Sequence, residues 1–243
     1  MKNKYICLLA VLFLIAQPSF AMHIMEGYLP FKHCLIWYAV SLPFVVLSFR
    51  YVARLVRRDP KQKITLALAG AYVFLLSALK LPSVTGSSSH LTGTTLGTVI
   101  TGPMSLPVIG LIVLLFQALL LAHGGISTLG ANIFSLSIAG PFVAYGIYKG
   151  LGSLRVNRNV NVFLATFIGS LSTYLTTSFQ LAFAYPDPQY GIWASAMKFM
   201  SIFAVTQVPL SLIEGFLTVL IFNILVKQGI TPLHLMANKN EVR

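Results

Sequence analysis

Beyond residue 30 the sequence runs as long apolar segments broken by short connections, and most of its cations sit in those connections. Apolar segments near 20 residues match the ~30 Å hydrocarbon layer of a bilayer at ~1.5 Å per helical residue. Lipid offers no hydrogen bonds, so each such run must satisfy its own backbone, and the helix does this within one segment. Hydrophobic residues make up 56% of the chain and charged ones 9%, a balance foreign to a soluble domain. The chain therefore reads as an all-α polytopic membrane protein. Its formal charge of +12 is then an orientation signal and not the footprint of a nucleic-acid binder.

Residues 35–52, 64–80, 106–122, 133–148, 160–184 and 199–226 are the clear candidate spans, and residues 91–101 form a shorter one rich in Gly and Thr. Arg50, Arg54, Arg57, Arg58, Lys61 and Lys63 make one basic loop. Lys149, Arg155 and Arg158 make a second, and Lys227, Lys239 and Arg243 a third. Basic loops stay on the cytoplasmic side, so the chain must cross an even number of times between Lys63 and Lys149. Residues 91–101 supply the missing crossing. About seven transmembrane helices follow, with the N-terminus outside and the C-terminus cytoplasmic. The short third span is entered through a re-entrant-like loop, Pro82 to Gly93. His23, His33, His90 and His123 then fall on the outer side, and His234 on the inner.

The first residues have the three parts of a secretory leader. Lys2 and Lys4 precede an apolar run of about eleven residues, and Ser19 and Ala21 supply small residues at −3 and −1. The alternative, an uncleaved first helix, has a run shorter than the ~20 residues that crossing needs. Residues 1–21 are expected to leave as a signal peptide, with 22–243 forming a single transmembrane metal-capture domain. Cys34 is then the sole cysteine, and an intrachain disulfide is excluded.

Cleavage after Ala21 creates a Met22-His23 terminus. The α-amine of Met22, the amide of His23 and its Nδ1 close five- and six-membered chelate rings around one ion. Three nitrogens in a plane suit nickel, copper or low-spin cobalt. Zinc favours a tetrahedron, and magnesium and calcium favour oxygen. His90, in the polar loop on the same side, offers a fourth nitrogen. Ser87, Ser89 and Thr92 of that loop are candidates to orient its ring. Glu26, His123 and Asn132 are candidates for a surrounding shell or lid, the last two from the Gly-rich connection 123–132. Glu214 is the one acid within a candidate span, and intramembrane acids are functional candidates by default. Its partner is expected on another helix or subunit, since Lys198 is too distant along the same helix. No catalytic residue is indicated. A metalloenzyme needs an open coordination position and a base, and a filled nitrogen plane with few carboxylates provides neither.

Met22-His-Ile-Met-Glu-Gly-Tyr-Leu-Pro30, then Leu79-Lys-Leu-Pro-Ser-Val-Thr-Gly-Ser-Ser-Ser-His-Leu-Thr-Gly-Thr94, then His123-Gly-Gly-Ile-Ser-Thr-Leu-Gly-Ala-Asn132 resemble the CbiM/NikM family, closest to its cobalt branch. The resemblance implies the substrate-capture (S) component of an energy-coupling factor importer in the cell membrane. It implies Co2+ as cargo, with Ni2+ as the alternative, for cobalamin synthesis. The implied partners are a transmembrane T component, two ATPase subunits and a small extra membrane subunit. It also implies a planar nitrogen set from Met22, His23 and His90. The competing reading is a stand-alone metal/proton carrier with Glu214 as its proton site.

Overall fold

The computed structural model describes residues 20–21, 23–79, 81–82 and 87–230; the leader before Phe20, Met22 and the tail with His234 lie outside the described residues. The chain forms helices α1 (Phe31–Arg58), α2 (Gln62–Ala78), α3 (Thr94–Thr101), α4 (Pro103–Leu121), α5 (Leu129–Ser153), α6 (Arg158–Ala184) and α7 (Gly191–Lys227). Three short strands, β1 (Phe20–Ala21), β2 (Leu81–Pro82) and β3 (Ser87–Ser89), pair in the order β1-β3-β2.

Each of the seven expected segments appears as a helix, but they are not seven equal spans. Five helices (α1, α4, α5, α6 and α7) are long and apolar enough to cross a bilayer, while α2 is apolar over 17 residues. Helix α3 has eight residues, a length of ~12 Å. The third segment is thus a broken element. Residues 90–93 run without helical bonds into α3, and residues 89–102 are buried throughout. Irregular backbone at membrane depth survives where protein covers it, and here the other helices do so.

The usual pattern of a soluble helix is inverted. On α6, Thr166, Ser170, Thr173 and Thr177 are buried, and on α7 so are Gln207, Ser211, Glu214 and Thr218. Both sets recur at i, i+4, i+7 and i+11, one face of a 3.6-residue helix. Leu35, Leu42, Val46, Leu119 and Phe216 point outward, where lipid tails accept them at no cost. Several inward hydroxyls bond carbonyls one turn back, as Thr166 does to Val162 and Ser178 to Tyr174. Small residues let the helices approach closely. A Cβ on Gly169 would lie 2.7 Å from that of Ala144, and one on Gly130 would lie 2.6 Å from the Tyr38 backbone nitrogen.

Arg57 and Arg58 end α1 and Lys227 ends α7. Arg158 donates to Asn223 near that same end. The segment carrying His23 meets the bundle at the opposite end, where α1 starts. Basic residues at one end and the histidine segment at the other give the polarity that the charge distribution leads one to expect.

Candidate metal centre

Three histidines distant in sequence meet at one point. Strand β1 runs parallel to β3 with Phe20 opposite Ser87 and Ala21 opposite Ser88. The same offset carried forward sets His23 beside His90; Phe20 and Ala21 belong to the expected leader, so in a cleaved chain the bonds of Asn132 and Thr128 to Ile24 are what keep His23 there. Their ring centroids are 4.3 Å apart with planes 33° from parallel. His123 arrives from the end of α4. Ala122 adopts a left-handed conformation (φ 46°), and the His123 amide turns back to the Gln117 carbonyl at 3.1 Å. A non-glycine residue in that conformation costs roughly 1–2 kcal/mol. That turn brings the His123 ring edge-on to the other two, 4.5 Å from His23 and 5.3 Å from His90, at 73° and 74°. One ring nitrogen from each residue lies within 4.8 Å of the others, and the three side chains are 2%, 0% and 1% exposed.

The chemistry of this set is that of a transition-metal site, since imidazole nitrogens favour such ions over magnesium or calcium. His90 Nδ1 lies 2.8 Å from the Leu91 carbonyl. A carbonyl only accepts, so Nδ1 carries the proton and Nε2 holds the lone pair. Fixing one ring nitrogen in this way orients the other for a metal.

The chain after His23 is clamped by the connection between α4 and α5 and by the first turn of α5. Ile24 donates its amide to Asn132 Oδ1 at 2.8 Å, and its carbonyl accepts from Asn132 Nδ2 at 3.0 Å and Thr128 Oγ1 at 2.6 Å. The Asn132 side-chain amide thus pairs with Ile24 as a neighbouring strand would. Glu26 donates its amide to the Gly124 carbonyl, and its carboxylate accepts from the Ser127 amide at 3.0 Å. The Ser127 hydroxyl, together with its amide, holds the Glu26 carboxyl below the ordinary carboxylate range. Since its folded pKa is depressed, this contribution is present above the unfolded carboxylate pKa and is lost as pH falls through the lower folded value. Gly125 is required by contact, because a Cβ there would lie 2.5 Å from Glu26 Cα.

The region described as "Cobalt uptake substrate-specific transmembrane region" in the CbiM family matches residues 23–230. The chain belongs to the CbiM family. It is 53% identical over 234 residues to a cobalt transport protein CbiM of Thermosipho melanesiensis, covering 96% of this chain and 95% of that one. It is 54% identical to the cobalt transport protein CbiM of Moorella thermoacetica, with 96% and 91% covered. Two crystal structures of transition metal transporters superpose with TM-scores of 0.72 and 0.73 at 28% and 27% identity. They cover 85% and 91% of this chain and 99% of each of theirs. A multi-pass membrane protein of a metal-uptake family agrees with both the helices and the histidines.

Within this CbiM-family chain the expected site residues divide. His23, His90 and His123 come together, with Asn132 and Glu26 holding the segment beside them. Met22 and the Ser87 side chain lie outside the described residues. Ser89 and Thr92 turn toward α7: Ser89 Oγ lies 2.6 Å from Thr206 Oγ1, and Thr92 Oγ1 donates to Glu214 at 2.6 Å. Glu214 finds its partners in the His90 loop and on α6. Thr128 and Thr206 were not legible as site-related, because single threonines in a Thr-rich membrane chain carry no periodic or motif signal. Asn132→Ala in the mature protein is expected to weaken cobalt binding by about 10–100-fold, the usual range for a residue that orients ligands. Calorimetric titration measures this, and an unchanged affinity would show that the clamp does not set His23.

Proposed function

We propose that this chain is the substrate-capture (S) component of an energy-coupling factor importer that takes up Co2+, with cobalamin synthesis as its purpose. The reading rests chiefly on three buried imidazoles that meet, one of them the second residue of the expected mature chain. Cobalt transport proteins more than 50% identical over most of the chain support the cargo. Residues 1–21 are a signal peptide, and cleavage after Ala21 leaves the Met22 terminus extracytoplasmic. The Met22 amine, the His23 amide and Nδ1, and a nitrogen of His90 form a planar set, with His123 closing the pocket edge-on. Binding in this set strips the ion of water and releases protons, since the amine and amide must each lose one. The partners are a transmembrane T component, two ATPase subunits that hydrolyse ATP, and a small extra membrane subunit. The protein itself catalyses no reaction. Ni2+ is the alternative cargo, because a planar nitrogen set suits it as well. The carrier reading, with Glu214 exchanging protons, is weaker because that carboxylate accepts four hydrogen bonds from a packed interior.

Purified mature protein is expected to bind Co2+ or Ni2+ with proton release. Affinity should rise with pH through the α-amine range of ~7.7–8.0. Acetylating the Met22 amine, or retaining the leader by altering Ala21, removes a donor and should abolish high-affinity binding. His90→Ala should do the same while the helical content is kept. Full affinity in the acetylated protein contradicts the chelate.

A further inference from the structure

Glu214 lies within α7, completely buried. Its four donors are all uncharged. Oε1 accepts from Thr92 Oγ1 at 2.6 Å and the Gly93 amide at 2.8 Å, and Oε2 accepts from the Thr92 amide at 2.8 Å and Ser170 Oγ at 3.1 Å. Three of these bonds reach the end of the His90 loop, and the fourth reaches α6. Gly93 is the N-cap residue of α3, in a left-handed conformation (φ 69°), and gives that helix no side-chain cap. A Cβ at Gly93 would lie 3.1 Å from the Val73 backbone, so the position also favours glycine by contact. A carboxylate from a different helix therefore takes up the Gly93 amide at the N-cap of α3 and the Thr92 amide just before it. Anionic oxygens are favoured there by the helix dipole and by the unsatisfied N–H groups.

The other side of His90 is held by the same helix. Ser89 Oγ lies 2.6 Å from Thr206 Oγ1. Thr206 and Glu214 are separated by about 12 Å of α7 at ~1.5 Å per residue, and His90 falls between the two anchored points of the loop. Its own ring is then fixed by the Leu91 carbonyl, whose residue lies inside the same bracket.

We propose that Glu214 is a positioning residue for metal capture: it holds the Thr92–Gly93 end of the loop from α7 while Thr206 holds the Ser89 end, so His90 is preorganised. This rests on the reading of His90 as a metal ligand. A buried acid whose hydrogen bonds end on a ligand loop is thereby assigned to binding geometry rather than to proton transport. Replacing it with glutamine keeps the shape but points an NH2 group at donors that need an acceptor.

Co2+ titration of the mature, detergent-purified protein tests this, alongside thermal melting of the same samples. Glu214→Gln is expected to bind Co2+ about 10–100-fold more weakly per folded molecule. Thr206→Val should also weaken binding. Ser170→Ala, which removes the one donor outside the loop, should keep near wild-type affinity. Wild-type affinity in folded Glu214→Gln overturns the proposal. An equal loss in Ser170→Ala does so as well, since it would mean the acid acts through helix packing alone. If Glu214→Gln does not fold, Thr92→Val replaces it: weaker binding supports the proposal and unchanged affinity overturns it. Failure of the wild type to bind Co2+, or full binding by His90→Ala, would instead remove the ligand assignment on which the proposal rests.

Discussion

A bilayer supplies no hydrogen bonds, so non-helical chain at membrane depth must be bonded and covered by protein. The candidate metal centre depends on this constraint, because His90 sits in a stretch that is neither helix nor loop at the surface. Glu214 and Thr206 bond that stretch from one helix, and Asn132 and Thr128 bond the His23 segment from the other side. The polar faces of α6 and α7 look inward for the same reason. A few of the buried polar groups fix two short non-helical segments, and the imidazoles follow from where those segments lie.

On the proposed reading, this arrangement lets a few residues suffice for capture. An imidazole set assembled on a free loop would lose affinity to the entropy of ordering it. Here the ordering is done during folding. The Ile24 backbone is bonded at both its N–H and its C=O, and His90 is anchored both before and after. Helix α7 is continuous from Gly191 to Lys227, so the helix that holds the ligand loop also reaches the basic end of the molecule.

Much of the architecture was legible in the sequence, because hydropathy and charge act locally. The positions of α4, α5 and α6 follow from apolar runs, and the gathering of basic residues at one end follows from Arg50 to Lys63 and the later basic loops. Helix α3 was the exception: charge parity called for a crossing, yet only eight residues are helical, and residues 91–93 before them are irregular. His23 and His90 could be paired from donor chemistry and the shared outer side. His123 was left open, because its approach depends on the left-handed turn at Ala122, where alanine gives no sign of that conformation. Glu214 was visible as an intramembrane acid, but its partners were not. They are backbone amides and hydroxyls more than 40 residues away, and backbone groups have no signature in sequence.

In the proposed site the ion is held by nitrogen atoms that include the amine exposed by leader removal. X-ray absorption at the metal edge of cobalt-loaded mature protein tests it most directly. A four-coordinate planar shell of nitrogen donors, replaced by a different shell when the leader is retained, is the predicted result. A six-coordinate oxygen-rich shell, or a nitrogen shell identical with and without the leader, would contradict it.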